Sequence, residues 1–127
     1  MPAERGTPCR SILIADNDRE SAESLATALG NLGNDVEIAS DVESALEVTR
    51  TFRPDVVMID LRLPGLGAYT AARLIRAKAF PRKLVLVAVT SIGEEEDRRR
   101  SEEAGFKYHL TKPAHLTALQ ELLSEME

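Results

Sequence analysis

The sequence predicts a single α/β domain, a doubly wound sandwich of (βα)5 units in which a parallel five-stranded sheet has helices on both faces. Five short apolar segments alternate along the chain with five segments that predict helices. The apolar segments lack the alternation of a half-exposed strand, and this is typical of parallel sheets buried on both sides. For such a sheet we predict the strand order 2-1-3-4-5. The 127 residues suffice for one core and leave no room for a second domain.

The five predicted strands are short and consist mainly of valine, isoleucine, leucine and alanine. They begin after a leader, residues 1–10, that carries charges and prolines but no long apolar segment. We therefore predict that residues 1–10 are a flexible leader rather than a signal peptide, and that residues 11–127 form the folded domain. The strands are assigned to residues 11–15, 36–39, 56–59, 84–89 and 106–110.

Four of the five predicted helices show an apolar stripe at helical spacing, for example Ala22, Leu25 and Leu29 in the first. The second helix opens with the pattern Ser40-x-x-Glu43, which predicts a capping box. The fourth helix, residues 94–104, is the exception because it has no apolar stripe. Each of its first three glutamates lies four residues before an arginine, a spacing that supports a solvated helix. We predict that this polar helix is the least firmly docked element.

The composition argues against several classes of function. A formal charge of −5 argues against a protein that follows nucleic-acid phosphates, so we predict no direct nucleic-acid partner. The longest apolar segment, residues 84–89, is too short to cross a bilayer, so we predict no membrane partner. The single cysteine, Cys9, cannot form an internal disulfide, which favours a reducing compartment and makes the cytoplasm the expected location.

Polar side chains of opposite charge stand near the carboxyl ends of the predicted strands. Asp16 follows the first strand, Asp60 the third and Thr90 the fourth, while Lys112 comes shortly after the fifth. The carboxyl ends of parallel strands lie at one edge of the sheet, where ligands bind near the point at which strand order reverses. Oxygen-rich ligand sets of this kind suit Mg²⁺. With a lysine nearby, such a site would neutralise a transferring phosphoryl group and leave one carboxylate as its acceptor.

Four sequence blocks follow one another along the chain: I-L-I-A-D at residues 12–16, P-D-V-V-M-I-D-L-R-L-P-G at residues 54–65, Thr90, and Lys112 with Pro113. In order and spacing, these blocks resemble the receiver domains of response regulators in two-component signal transduction. The resemblance extends over about residues 11–125 and implies a flavodoxin-like fold. The stretch from Glu95 to Pro113 also resembles receivers at the ends of hybrid histidine kinases, so both a stand-alone regulator and a piece of such a kinase stay open.

The resemblance implies that Asp60 is the residue that becomes phosphorylated. The donor in this family is a histidine kinase or a histidine phosphotransfer protein. Mg²⁺ is implied as the cofactor, held by Asp16, Asn17, Asp60 and the backbone carbonyl of Arg62. The chain is not expected to be an enzyme beyond self-phosphorylation and autodephosphorylation at Asp60.

The resemblance also implies how the signal is passed on. Thr90 hydrogen-bonds the phosphoryl group and moves toward it, Lys112 pairs with Asp60 and the phosphoryl oxygens, and the peptide bond before Pro113 is cis. Phosphorylation then changes the face formed by the fourth helix, the fifth strand and the fifth helix. A downstream protein, or a covalently linked output or kinase domain, would respond to that face.

Three features depart from the receiver pattern, and one of them, Leu66-Gly67-Ala68 after Pro64-Gly65, is expected to affect only the turn. Receivers usually carry two adjacent acids after the first strand, and here the second is Asn17, with an acid displaced to Asp18. We predict weaker Mg²⁺ binding, with Asn17 as a ligand through its amide oxygen and Asp18 as a partial replacement. His109 stands where many receivers have a rotating tyrosine or phenylalanine. It either reports the switch or is an exposed polar residue at the sheet edge.

Particular residues distinguish a phosphoacceptor from two alternative functions. The first is a degenerate receiver that binds partners without being phosphorylated, and Asn17 is the only feature that favours it. The second is a haloacid-dehalogenase-like phosphatase, which requires a second acid two residues after its aspartate, where this chain has Arg62. Nucleotide binding is disfavoured because neither a Walker lysine loop nor a complete G-x-G-x-x-G follows a strand.

Overall fold

Five parallel strands form one sheet in the order β2-β1-β3-β4-β5, which confirms the predicted topology. The computed structural model of the chain describes residues 9–63, 67–91 and 98–126. The predicted leader therefore lies outside the described residues up to position 8, as does the turn around Pro64. The strands are β1 (Ser11–Ala15), β2 (Asp35–Ala39), β3 (Val56–Asp60), β4 (Val85–Ser91) and β5 (Phe106–Lys112).

Helices cover both faces of the sheet. Buried residues of α2, α3 and α4 pack with one face, and those of α1 and α5 pack with the other. Of the polar fourth helix, only its last seven residues are described, so the predicted pairs of its three glutamates lie outside the described residues. The helices are α1 (Arg19–Asn31), α2 (Val42–Phe52), α3 (Ala68–Ala79), α4 (Arg98–Ala104) and α5 (Leu116–Glu125).

The two central strands, β1 and β3, are buried on both faces because helices lie above and below them. In β3 every residue from Val56 to Asp60 is buried, and successive side chains enter opposite core clusters. Burying a side chain of valine, isoleucine or methionine contributes about 1.5–3 kcal/mol. This packing fixes the position of the carboxyl end of β3, where Asp60 is the last strand residue rather than the residue after the strand.

The predicted capping box, with Ser40 as the N-cap, was wrong. Helix α2 begins one residue later. Asp41 is the N-cap, and its carboxylate accepts a hydrogen bond from the backbone amide of Ser44 at 2.7 Å. This hydrogen bond lowers the pKa of Asp41 below its usual 3.8. Val42 is buried and begins the helix, so the cap falls to the residue immediately before it, and a carboxylate is a favoured cap.

Strand β5 contains a bulge that the sequence did not predict. Phe106 pairs with Leu86, but Val87 pairs with Tyr108, so Lys107 is an extra residue in the edge strand. The bulge places Tyr108 on the face covered by α1 and α5, where its hydroxyl donates to the backbone carbonyl of Glu125 at 3.2 Å. Tyr108 and the next residue in the strand therefore point to opposite faces, as predicted.

Contacts with α3 and a glycine fix the end of α4. Ser101 and Ala104 are fully buried, and the Arg100 guanidinium lies 4.3 Å from the centre of the Tyr69 ring. The guanidinium of Arg76 donates to the carbonyl of Ala104 at 3.1 Å. These contacts tie the last turn of the polar helix to α3, and how firmly the whole helix is docked stays a prediction.

Replacing Gly105 with alanine is expected to destabilise the protein by about 1 kcal/mol or more. Gly105 has a φ of +105°, and an added Cβ would lie 2.2 Å from Nη1 of Arg76, the group that holds Ala104. Urea denaturation measures the change. Gly30→Ala is the matched control, because Gly30 lies within α1 and nothing approaches the added Cβ within 4 Å. Alanine there is expected to stabilise the helix, and equal effects at both sites would contradict the account.

Candidate functional site

Lys112 joins two buried carboxylates at the carboxyl edge of the sheet. Its Nζ donates to Oδ2 of Asp16 at 2.6 Å and to Oδ2 of Asp60 at 2.7 Å. The side chains of Asp16 and Asp60 are 4% and 8% exposed, and that of Lys112 is 17% exposed. The three residues come from positions 96 and 52 residues apart along the chain, and the parallel sheet brings them together. We call these three residues the acidic site.

Backbone amides hold the second oxygen of each carboxylate. Oδ1 of Asp16 accepts a hydrogen bond from the amide of Asp18 at 2.9 Å, and Oδ1 of Asp60 accepts one from the amide of Arg62 at 2.7 Å. Both donors lie two residues beyond their acceptor, in the loop that follows the strand. Hydrogen bonds to an ionised group are roughly twice as strong as neutral ones. Each carboxylate is therefore held in place from both sides.

The charge of Lys112 is stabilised by its two neighbours. Burial of the ammonium on its own lowers the pKa of Lys112. The hydrogen bonds that it donates to Asp16 and Asp60, together with their negative charges, outweigh burial and raise its pKa above the usual 10.5. The ammonium is thus positive at neutral pH and neutralises one of the two negative charges beside it.

Thr90 lies at the same edge of the sheet. Asp60 pairs with Val89 on the neighbouring strand β4, so Thr90 is the next residue toward the carboxyl end. It is half-buried and pairs with Thr111 of β5. The structure therefore brings Thr90 to the strand end beside the acidic site.

Ser91 lies beyond Val89, the predicted end of the fourth strand, and was therefore not among the predicted site residues. Strand β4 continues through Ser91, which pairs with Lys112 in the register of β4 and β5. Ser91 and Lys112 both line a cavity of about 450 Å³ that lies between α1 and the ends of β4 and β5. Two adjacent hydroxyl residues after an apolar strand are the signal that marks this longer edge.

The remaining site residues of β5 lie where the strand register places them. His109 is half-buried and pairs with Ala88, and the Lys112–Pro113 peptide bond is cis, as the resemblance implies.

The two other predicted site residues lie in loops at the carboxyl edge of the sheet. Asn17 is exposed in the loop between Asp16 and α1, and Arg62 is exposed in the loop after β3.

The oxygen donors in and beside the acidic site fit Mg²⁺ in their chemistry. Two carboxylates, the amide oxygen of Asn17 and a backbone carbonyl are hard oxygen donors, and Lys112 already places a positive charge between the two acids. Within the described ranges, no group of three or more histidine, cysteine, aspartate or glutamate residues is arranged to hold a metal ion. The acidic site therefore contains two carboxylates, those of Asp16 and Asp60, and Mg²⁺ binding stays a prediction.

Asp18 caps the first helix, and its suggested part in Mg²⁺ binding stays a prediction. Its carboxylate accepts a hydrogen bond from the amide of Ser21 at 3.2 Å, and Asp18 is the N-cap of α1. An acidic N-cap satisfies a free amide and interacts favourably with the helix dipole. This contact gives the Asp18 carboxylate a structural role in addition to any long-range effect on the acidic site.

The fold and the acidic site define a class of α/β domains with a charged cluster at the carboxyl edge of the sheet, and comparison with known proteins identifies that class. The family model described as the response regulator receiver domain matches residues 12–124. The chain therefore belongs to the response regulator receiver domain family.

Within the described part of the chain, no helix is long and apolar enough to cross a membrane.

Two curated relatives illustrate the similarity in sequence. Response regulator MprA of Mycolicibacterium vanbaalenii is 34% identical over 115 residues, which cover 91% of this chain and 48% of that protein. The phosphate regulon transcriptional regulatory protein PhoB of Klebsiella pneumoniae is 32% identical over 104 residues, covering 82% and 45%. The chain thus spans about half the length of the curated relatives it matches.

Solved structures illustrate the similarity in fold. A CheY-like response regulator receiver domain from Methylobacillus flagellatus superposes with a TM-score of 0.84 at 25% identity, covering 94% of this chain and all of that one (100%). The receiver domain of a sensor histidine kinase from Pseudomonas aeruginosa gives a TM-score of 0.80 at 29% identity, covering 93% and 97%. That structure has a magnesium ion coordinated in its active-site cleft.

Proposed function

We propose that this domain is a phosphoacceptor switch in which Asp60 receives a phosphoryl group from a histidine kinase or a histidine phosphotransfer protein. The observation that carries the proposal is the position of Lys112, whose ammonium bridges Asp60 and Asp16 at 2.7 and 2.6 Å. A carboxylate held beside a fixed cation at the carboxyl edge of the sheet is suited to accept an anionic group. Family membership supports the same role.

In the transfer step, a carboxylate oxygen of Asp60 attacks the phosphorus of the donor phosphohistidine. The P–O bond of an acyl phosphate forms as the P–N bond breaks, and the electron pair of that bond stays on the imidazole of the donor. Lys112 then pairs with the phosphoryl oxygens, and its fixed charge offsets the negative charge that collects between Asp16 and Asp60. Hydrolysis of the acyl phosphate by water returns Asp60 to its initial state.

Mg²⁺ is proposed as the cofactor of this transfer. The residues that would hold it are Asp16, Asn17 and Asp60 with the backbone carbonyl of Arg62, and when bound it neutralises charge on the phosphoryl oxygens. The magnesium ion in the related Pseudomonas aeruginosa receiver supports this assignment. The amide of Arg62 already orients Asp60 from the same loop, so one loop would serve both the acceptor and the ion.

The proposed output is a shift between two arrangements of the domain. Thr90, beside Asp60 at the end of β4, is expected to hydrogen-bond the phosphoryl group and to favour one arrangement of the face formed by α4, β5 and α5. His109 lies on β5 and would report that change. A downstream protein, or a covalently linked output or kinase domain, is the expected partner of this face.

Incubation with acetyl phosphate and Mg²⁺ tests the phosphoacceptor directly. The chain is expected to gain one acid-stable, base-labile phosphoryl group, seen by intact-mass spectrometry, and Asp60→Asn is expected to gain none. Asp35→Asn is the matched control, because Asp35 is exposed at the start of β2. Equal phosphorylation of Asp60→Asn and Asp35→Asn would contradict the proposal.

The degenerate receiver is the second candidate, and the exposed Asn17 in place of an acid is the observation that favours it. Beryllofluoride, a stable phosphoryl analogue, separates the two functions when added with Mg²⁺. A phosphoacceptor is expected to show amide NMR shifts at Thr90 and along β5. A spectrum that does not change would support the interaction module instead.

A further inference from the structure

A second surface lies at the end of the sheet opposite to Asp60. Phe80 follows α3 and precedes β4, and it is 79% exposed, the highest exposure of any large apolar side chain in the described part of the molecule. Asp60 lies at the carboxyl end of β3, whereas Phe80 lies near the amino ends of β3 and β4. The length of a five-residue strand, about 16 Å, separates these two edges.

A groove runs along one side of Phe80, between the ends of α2 and α3. Its volume is about 470 Å³, and four cationic side chains line it: Arg50, Arg53, Lys78 and Arg82. Arg82 donates to the carbonyl of Pro54 at 2.8 Å, which fixes its guanidinium at the base of the groove. The C-termini of two helices meet here, so some of this positive charge also offsets helix dipoles.

A wider groove lies on the other side of Phe80 and Pro81. Its volume is about 920 Å³, and it shares Arg82 with the first groove. Three further cations line it, Arg73, Arg76 and Lys83, and one acid, Glu103. We call Phe80 and the cations of the two grooves the basic surface.

The basic surface contrasts with the remainder of the chain. It contains seven of the sixteen lysine and arginine residues, whereas one of the 21 aspartate and glutamate residues, Glu103, lines its grooves and a second, Glu47, pairs with Arg50. Apart from these seven cations and Glu103, the chain holds nine lysine and arginine residues against twenty aspartate and glutamate residues. Positive charge is concentrated around one exposed ring on a chain whose net charge is −5. Such segregation steers a negatively charged partner to one place on the molecule.

We propose that the basic surface binds a short acidic protein segment that carries an apolar side chain. The guanidinium forks suit carboxylates, which they bind through paired hydrogen bonds, and Phe80 offers an apolar contact between them. Arginine and aromatic residues are also the side chains that dominate binding energy at protein interfaces. The two grooves give an extended segment room on either side of the ring.

Charge and shape disfavour two other occupants. A long nucleic acid would run beyond the basic surface onto a chain that holds twenty acids and nine cations, so its phosphates would be repelled there. Only one aromatic ring is prominently exposed on this surface, which provides a single stacking platform for bases. A flat lipid bilayer would contact the ridge at Phe80 and leave the walls of both grooves unused.

Fluorescence anisotropy with a labelled peptide of glutamates around one central leucine tests this proposal on the full chain. The peptide is expected to bind, and its affinity is expected to fall as salt is added. Phe80→Ala and Lys83→Glu are each expected to weaken binding by about tenfold. Lys107→Glu is the matched control, because it makes the same charge change. Lys107 is exposed on β5 and lies outside the basic surface.

Three outcomes would overturn the proposal. The first is that the wild-type protein binds the glutamate peptide no more tightly than it binds an uncharged peptide. The second is an equal effect of Lys83→Glu and Lys107→Glu. The third is tighter binding of oligothymidylate or of phosphatidylserine vesicles than of the peptide. Because the basic surface and Asp60 lie at opposite edges, binding is expected to persist in Asp60→Asn, and the result is independent of phosphorylation.

Discussion

Replacing Lys112 with methionine is expected to lower the free energy of unfolding by about 3 kcal/mol. The substitution keeps an unbranched stem of similar length but removes the ammonium between Asp16 and Asp60. These carboxylates are 4% and 8% exposed, so each loses a hydrogen-bond donor that water replaces poorly. The two negative charges then repel each other without a cation between them. Urea denaturation at neutral pH measures the loss.

Lys83→Met is the matched control for this substitution. Lys83 is exposed, and an exposed lysine without buried contacts is expected to change stability by no more than about 0.5 kcal/mol. Mg²⁺ is expected to recover part of the stability lost in Lys112→Met, because a bound cation restores positive charge beside both acids. If Lys112→Met and Lys83→Met proved equally stable, Lys112 would not hold the acidic site together.

The same contacts predict a difference at alkaline pH. The pKa of Lys112 is raised in the folded state, so its contribution to stability is complete below the usual value of 10.5. The contribution is lost as pH rises through the folded-state pKa, because the folded protein must then give up a proton that it holds more tightly than the unfolded chain does. Wild type is expected to lose this part of its stability on alkaline titration, whereas Lys112→Met has none to lose.

Replacing Asn17 with aspartate is expected to tighten Mg²⁺ binding by about tenfold. A third carboxylate beside Asp16 and Asp60 adds a full negative charge, and two unit charges about 4 Å apart interact by ~4 kcal/mol at an effective dielectric constant near 20. Loss of hydration by the new carboxylate and its repulsion from the other two offset most of this gain. Calorimetric titration of both proteins with Mg²⁺ measures the difference.

Asp18→Asn is the control that separates a ligand from a nearby charge. Asparagine is also a good N-cap, so the start of α1 is expected to survive the change. Asp18 caps α1 through the amide of Ser21, so we expect Mg²⁺ affinity to change far less than it does in Asn17→Asp. Equal affinities of wild type and Asn17→Asp would show that residue 17 does not contact the ion.

The sequence was sufficient to predict the topology of the sheet and the meeting of the three residues of the acidic site. Apolar strands separated by helices specify a parallel sheet, and a parallel sheet places the residues after β1, β3 and β5 at one edge. Asp16, Asp60 and Lys112 meet for that reason, although up to 96 positions separate them. The order 2-1-3-4-5 is one of the common orders for doubly wound sheets, and the strands on either side of Asp60 follow from it.

Details that depend on tertiary packing were not accessible in this way. Ser40 and Asp41 are both acceptable caps, and the buried position of Val42 decides between them. The bulge at Lys107 arises because Phe106 and Tyr108 pack into cores on opposite faces, which no local pattern specifies. The prolongation of β4 through Ser91 depends likewise on pairing with β5.

The basic surface was missed for a different reason. Its cations are spread from Arg50 to Lys83, and in the sequence they are mixed with apolar residues of α2 and α3. They meet because both helices end at the amino edge of the sheet, where Phe80 turns outward. A net charge of −5 describes the chain as a whole and conceals this local excess of positive charge.

Locating the phosphoryl group is the most direct test of the central claim that the acidic site makes Asp60 the acceptor. Borohydride reduces an aspartyl phosphate to homoserine, and peptide mass spectrometry then identifies the position of the change. After incubation with acetyl phosphate and Mg²⁺, the account predicts homoserine at position 60 and unchanged aspartate at position 16. Homoserine at position 16, or at no position, would contradict it.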